Sequence, residues 1–247
     1  MNAIDRLAHS NRLAGRNAAE KMLFSLGMLV LAVTLPPWPG AVVVLVVLLV
    51  ALLAVARVPV RAYLKLIAGP LLFMAMSVLP LLFTLSFHPL HLGVLPDGVQ
   101  LALRVLLRAL AGVNCLFFLT LTTPIPQILG VMHRCRVPAV VTEISVLVYR
   151  YAWVFVSTVG GIRRAQEARM GYTSYGRSYR SLAMLTGALF GQALQRGRAL
   201  ERGLDARNWQ GEFRVLDDAP AASAATLTFI VLLELAVLGV TVAWLSL

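Results

Sequence analysis

Six near-continuous apolar blocks dominate the chain, at 22–35, 41–56, 66–87, 101–121, 137–159 and 225–247. Ordinary soluble helices and strands have no use for apolar runs of this length, whereas a helix crossing the hydrocarbon of a bilayer needs about 20 residues at 1.5 Å each. The composition agrees: of 247 residues, 59% are hydrophobic and 13% charged, against roughly 45–50% and about 25% in a soluble domain. The expected fold class is all-α, a polytopic membrane protein. The first two blocks reach spanning length only with flanking residues. The first is short enough for a signal-peptide core, but no A-x-A site follows it, and Pro36 to Gly40 reads as a tight turn into the next helix.

Lys and Arg accumulate in short cytoplasmic loops, so charge placement sets the orientation. Arg6, Arg12, Arg16 and Lys21 put the N-terminus inside, and Arg57, Arg61 and Lys65 fall between spans two and three. The turn before span two is uncharged, and 88–100 carries only Asp97. Block 137–159 follows Arg134 and Arg136 and precedes ten arginines between Gly160 and Leu216, so both of its flanks are cytoplasmic. Either this block lies at the membrane surface, the reading preferred here, or Leu182 to Leu194 forms a poor return span. With Ala225 to Leu247 as the last crossing, about five transmembrane helices are expected. The organisation expected is 1–136 with four spans, 137–216 as a cytoplasmic coupling-helix region, and 217–247 as the final span.

The net charge of +11 could serve nucleic acid, anionic lipid or an acidic partner. Aromatic and Arg residues interleave between Tyr172 and Arg180, but amphipathic helices flank them, and interfacial anchoring is favoured over nucleic acid. Cys115 and Cys135 form neither a disulfide framework nor a metal spacing and read as packing residues. His88 and His91 are close in sequence but lack a third ligand, so no metal site is assigned.

Within 137–216, Phe155, Val159, Ile162 and Gln166 recur at helical spacing, with Arg163, Arg164 and Glu167 largely off that stripe. A second amphipathic helix is expected from near Ser181, with Ala193, Gly197, Leu200 and Leu204 on one face and Arg196, Arg198 and Arg202 on the other. Both helices end alike, in Glu167-Ala168-Arg169-Met170-Gly171 and Asp205-Ala206-Arg207-Asn208-Trp209. Gly171 and Asn208 can take the left-handed conformation that closes a helix, and Arg in the last turn opposes the negative end of the helix dipole.

At these residues the sequence resembles the transmembrane T component of energy-coupling factor (ECF) transporters, whose mark is two Ala-Arg-Gly motifs ending cytoplasmic coupling helices. Ala168-Arg169 and Ala206-Arg207 match it, with Met170 and Asn208 where Gly is usual and Gly171 one place later. Ile4 to Ala8, Glu20-Lys21, Thr122 to Pro124 and Tyr149 to Tyr151 are similar to the cobalt-type branch, CbiQ. The resemblance implies a non-catalytic scaffold of a bacterial inner-membrane importer serving cobalamin biosynthesis. Its implied partners are two ATP-binding cassette ATPases, a substrate-binding membrane subunit, an optional further small membrane subunit and the lipid bilayer. No cofactor is expected on this chain: ATP and Mg would sit on the ATPases and cobalt on the substrate-binding subunit. Ala168, Arg169, Gly171, Ala206, Arg207 and Asn208 would contact the ATPases.

The sequence itself has no GxxxxGK[ST] phosphate loop. Alternatives are a T component for nickel, biotin or another vitamin, or a membrane enzyme acting on phosphorylated lipid. Two further expectations concern motion and burial. Gly160-Gly161 weakens its helix and is a candidate hinge, or else marks a close helix crossing. Arg104, Arg108 and Glu234 lie inside spans, where an ionisable group is costly. Arg108 and Glu234, or Glu234 and another Arg, are expected to pair, unless the arginines snorkel and Glu234 is protonated.

Overall fold

A computed structural model describes residues 7–9, 11–87, 90–94, 98–209 and 222–245, with the side chains of 81–97 and 245 left undescribed. The chain folds into two units, one of Met1–Val131 with Asp217–Leu247 and one of Met132–Leu216.

In the first unit, α1 (Ala18–Thr34) starts where the Asn17 side chain accepts the Ala19 N–H at 2.8 Å, with Glu20 in its first turn. It stops where Pro36 and Pro37 can neither donate nor continue a helix. A wide turn over Pro37–Ala41, in which Trp38 is extended, leads into α2 (Val42–Val50), and the helical path runs on through Ala51–Val55. After Pro59, α3 (Val60–Val78) begins six residues earlier than the apolar block does and takes up Arg61 and Lys65. It carries Pro70 in its interior and also ends earlier than the block, giving way to a 3-10 turn at Leu79–Leu82 that contains Pro80. Strands β1 (Phe83–Phe87) and β2 (Leu90–Val94) follow as an antiparallel hairpin pairing Phe83 with Val94 and Phe87 with Leu90, where a continuation of the span to Phe87 was expected. Helix α4 (Gly98–Thr122) packs against α1, α2 and α3, and α5 (Ile125–Arg134) follows it; α8 (Ala224–Leu245) packs on α1.

Met28, Val44, Leu48, Leu52 and Leu121 are fully buried among these helices, and Phe24 meets Phe118 edge-on at 5.0 Å. Several buried polar groups in this core have partners. Ser25 Oγ donates to the Cys115 carbonyl at 2.7 Å, and the Tyr63 hydroxyl donates to Asn114 Oδ1. Cys115 is buried as a packing residue should be, but Cys135 is exposed, so that reading holds for one thiol only.

The second unit is an antiparallel helical hairpin of α6 (Ala139–Ala168) and α7 (Tyr175–Asp205). The connector expected at 172–180 is largely helix: Ser174 caps α7, and only six residues join the two.

Among the described residues, five helices are long and apolar enough to cross a membrane: Pro37–Val55, Val60–Val78, Gly98–Thr122, Ala139–Ala168 and Ala224–Trp244. The number agrees with expectation but the membership differs. Helix α1 has 17 residues and falls short on length, while α6, expected at the surface, meets the criterion with 30.

Candidate functional site

The two helix ends singled out in the sequence are built identically. At the end of α6, the Met170 N–H donates to the Glu167 carbonyl at 3.0 Å and the Gly171 N–H to the Gln166 carbonyl at 2.8 Å. At the end of α7, the Asn208 N–H donates to the Asp205 carbonyl at 3.0 Å and the Trp209 N–H to the Leu204 carbonyl at 3.1 Å. Each is the paired closure of a Schellman motif, which satisfies carbonyls left over at a helix end. Helix α6 runs through Ala168 and is capped by Arg169, and α7 stops one place sooner, at Asp205, with Ala206 as its cap; in both, the residue after the Arg is left-handed, Met170 at φ 57° and Asn208 at φ 48°. Arg169 and Arg207 therefore project from equivalent places, and both are exposed, as are Ala168 and Ala206.

This geometry corrects one expectation. The left-handed residue at the first end is Met170, and Gly171 is needed for space instead. A Cβ on Gly171 would lie 2.7 Å from Ser181 Oγ and 2.9 Å from the Gln166 carbonyl oxygen. Ser181 Oγ donates to the Gly171 carbonyl at 2.8 Å, so the start of α7 closes directly on the end of α6. Asn208 does take the left-handed conformation foreseen for it, which Asn tolerates better than most residues.

Gln166 holds the hairpin bend. Its Nε2 donates to the Ser181 carbonyl at 2.9 Å, and its Oε1 accepts the Tyr172 hydroxyl at 2.8 Å. The sequence signal was present, a lone amide on the otherwise apolar stripe of Phe155, Val159 and Ile162. Arg163 pairs with Glu167 at 2.8 Å in an exposed i,i+4 bridge, which contributes little. Arg196 does not share the outer face of Arg198 and Arg202. Its guanidinium lies 5.1 Å from the Phe155 ring centroid and donates to Thr158 Oγ1 at 3.3 Å, with Nη1 buried and lacking a hydrogen-bond partner among the described residues.

Gly160 and Gly161 lie inside the continuous helix α6, and nothing lies within 4 Å of a Cβ at either, so no close helix crossing requires them. Arg108 and Glu234 are not brought together. Arg108 Nη2 donates at 2.8 Å to the Leu35 carbonyl, left open where prolines stop α1. Glu234 Oε1 is buried with no hydrogen-bond partner among the described residues and packs on Gly27. A free carbonyl within reach of a long guanidinium stem satisfies Arg108 without an acid.

A network that the sequence did not announce ties down the segment before α1. Lys21 Nζ donates to the carbonyls of Leu13 (3.1 Å) and Thr122 (2.9 Å) and to Gln127 Oε1 (3.1 Å), one acceptor for each ammonium donor. Gln127 Nε2 donates to the Ala14 carbonyl and Asn11 Nδ2 to that of Leu121, at 2.9 and 3.0 Å. Ile4, Asp5, Arg6, His88 and Glu212 lie outside the described residues, as does the side chain of His91. Among the described residues, no group of three His, Cys, Asp or Glu could hold a metal ion.

These features define a multi-pass helical membrane protein carrying a two-helix unit with matched, arginine-bearing ends. The chain belongs to the CbiQ cobalt transport protein family, whose model matches residues 10–216. It is 42% identical to "Cobalt transport protein CbiQ" of Rhodobacter capsulatus over 237 residues, 96% of each chain. It is 30% identical to the Salmonella typhimurium protein of the same name over 226 residues, covering 87% of this chain and all of that one. A "Putative fused cobalt transport protein CbiMQ" of Methanocorpusculum labreanum matches 93% of this chain at 30% identity, over 41% of its own length. Family membership makes the chain a membrane component of cobalt transport rather than a catalytic enzyme.

Proposed function

We propose that this chain is the coupling scaffold of an ATP-driven ECF-type importer for cobalt, joining two ATP-binding cassette subunits to a substrate-binding membrane subunit. The observation that carries the reading is the identity of the two helix closures, which offer Arg169 and Arg207 in the same local frame. A guanidinium has five donors in a fixed fork and can engage backbone carbonyls and a carboxylate together, which Lys cannot reproduce. Ala168 and Ala206 beside them leave room for a partner surface. ATP and Mg belong on the ATPases, and the cobalt ion, as cargo, on the membrane partner. The fused CbiMQ relative supports such a partner, because the matching segment there is part of a longer chain.

In this reading α1 crosses the bilayer and α6 lies along its cytoplasmic surface, because arginines flank α6 on both sides. The N-terminus is inside, in the inner membrane of a bacterium. The hairpin, 137–216, moves with the ATPases, with Gly160-Gly161 as its flexible point. Nickel or a vitamin as cargo remains the second reading, since the T component does not itself hold the substrate.

The test is co-purification of ATPase subunits and cobalt uptake for Arg169→Glu, Arg207→Glu, the double variant and Arg198→Glu. Each single change should weaken assembly by at least about tenfold, and the double far more, because the second attachment is effectively intramolecular. Arg198→Glu should resemble wild type. Full assembly and uptake in the double variant would refute the coupling role.

A further inference from the structure

Between α1, α2 and α8 the first unit holds an open groove of about 720 Å³. Its walls are apolar, with Phe24, Val47, Ala51, Phe229 and Leu233 among them, and its charged lining is confined to Arg16, Glu20 and Lys21. Those three charges sit at one end, where α1 begins. Lys21 has all three donors committed, and Glu20 Oε1 accepts the Ser223 N–H at 2.8 Å. Arg16 is exposed and, among the described residues, its side chain has only a long contact, 3.4 Å from Nη1 to Thr226 Oγ1. The Arg12 N–H donates to the Ala56 carbonyl, which brings a second exposed arginine to the end of the α2 path beside exposed Arg57. An apolar slot thus opens at a net-positive rim where, among the described residues, the Arg16 guanidinium has no acidic partner.

We propose that this groove binds an anionic phospholipid, with its acyl chains between α1, α2 and α8 and its phosphate on Arg16. Lining residues on α2 and its extension run from Val46 to Val55, about 13 Å at helical rise, so the slot is long enough for a stretch of acyl chain. The rim supplies charge complementarity, since basic clusters between membrane helices attract anionic headgroups, and an apolar partner helix would leave that charge unused.

The experiment uses the full chain in mild detergent with a phosphatidylglycerol carrying a photoreactive diazirine in its acyl chain. Labelling should fall on 46–55 and 225–233. Excess unlabelled phosphatidylglycerol should remove it, and phosphatidylcholine should not. Arg16→Gln should reduce labelling several-fold, and Ala51→Phe, which fills the slot, should abolish it, both with wild-type circular dichroism and gel-filtration profiles. The wild-type pattern is read on its own, so a misfolded variant does not suspend the answer. Equal competition by phosphatidylcholine, or labelling spread over every apolar helix, means ordinary surrounding lipid and overturns the proposal. Labelling that vanishes in membranes where transporter subunits are co-expressed assigns the groove to a protein and overturns it as well.

Discussion

The Glu234 carboxylate fills the space that a side chain on Gly27 would occupy. Helices α1 and α8 approach at this point because position 27 has no Cβ, and the acid lies against bare backbone. The carboxylate is the mobile end of its side chain, so Gly27→Ala should displace it rather than the helices, at a cost of about 1 kcal/mol. Thermal unfolding in detergent should register that loss, and Gly27→Ala combined with Glu234→Ala should lose less than the two single changes added together. Strict additivity would show that the two positions do not share this space.

Met170 takes a left-handed conformation that costs an L-residue about 1–2 kcal/mol. Met170→Gly should therefore strengthen the end of α6 by about 1 kcal/mol, and Met170→Val should weaken it. Hydrogen exchange at the Met170 and Gly171 amides is the direct readout. Gly171→Ala should do the opposite of Met170→Gly, because its Cβ meets a backbone carbonyl that cannot move aside.

Lys21 offers one donor to each of three acceptors at a buried position. Lys21→Met keeps the stem but leaves Thr122, Leu13 and Gln127 without their donor, an expected loss of about 1–3 kcal/mol for each acceptor that water cannot reach. Proteolysis of the segment around 11–16 should accelerate, since Leu13 and Ala14 are held through this network. Lys21→Arg should not rescue it, because a planar fork cannot reproduce three diverging bonds.

Gly160→Ala with Gly161→Ala should stiffen α6 without steric conflict, because space is open around both. Each replacement should stabilise the helix by about 0.5–1 kcal/mol. If the pair is the hinge of the coupling cycle, ATPase subunits should still assemble with the doubly substituted chain while cobalt uptake slows. Unchanged uptake would reject the hinge and leave the helix merely more stable.

Apolar block lengths revealed the helical membrane fold because periodicity and length are local properties. They failed at 79–87, where a 3-10 turn and strand β1 replace the end of a hydrophobic run that hydropathy alone would carry on as helix. Arginine spacing located both helix ends, but not that Met170, rather than Gly171, would take the strained backbone. Nor did it show that Gly171 is needed for space, which depends on Ser181, ten residues further along, closing on it. The Arg108–Glu234 pairing failed because a sequence lists charges but not open carbonyls, and Leu35 supplied one. Lys21, Gln127 and Asn11 were unreadable for the same reason, since each has a main-chain oxygen more than a hundred positions away among its partners.

Two copies of one ATPase would present two copies of one binding surface, yet a single chain with no internal repeat has no twofold axis to offer them. In the proposed assembly, the matched closures at 167–171 and 205–209 would resolve that mismatch locally. Five residues of repeated backbone shape stand in for symmetry, so everything between them, including the apolar length of α6 and the arginine-rich face of α7, is free to differ. An adaptor of the proposed kind would respond asymmetrically to a symmetric engine, turning one closing motion of its partners into two unequal displacements.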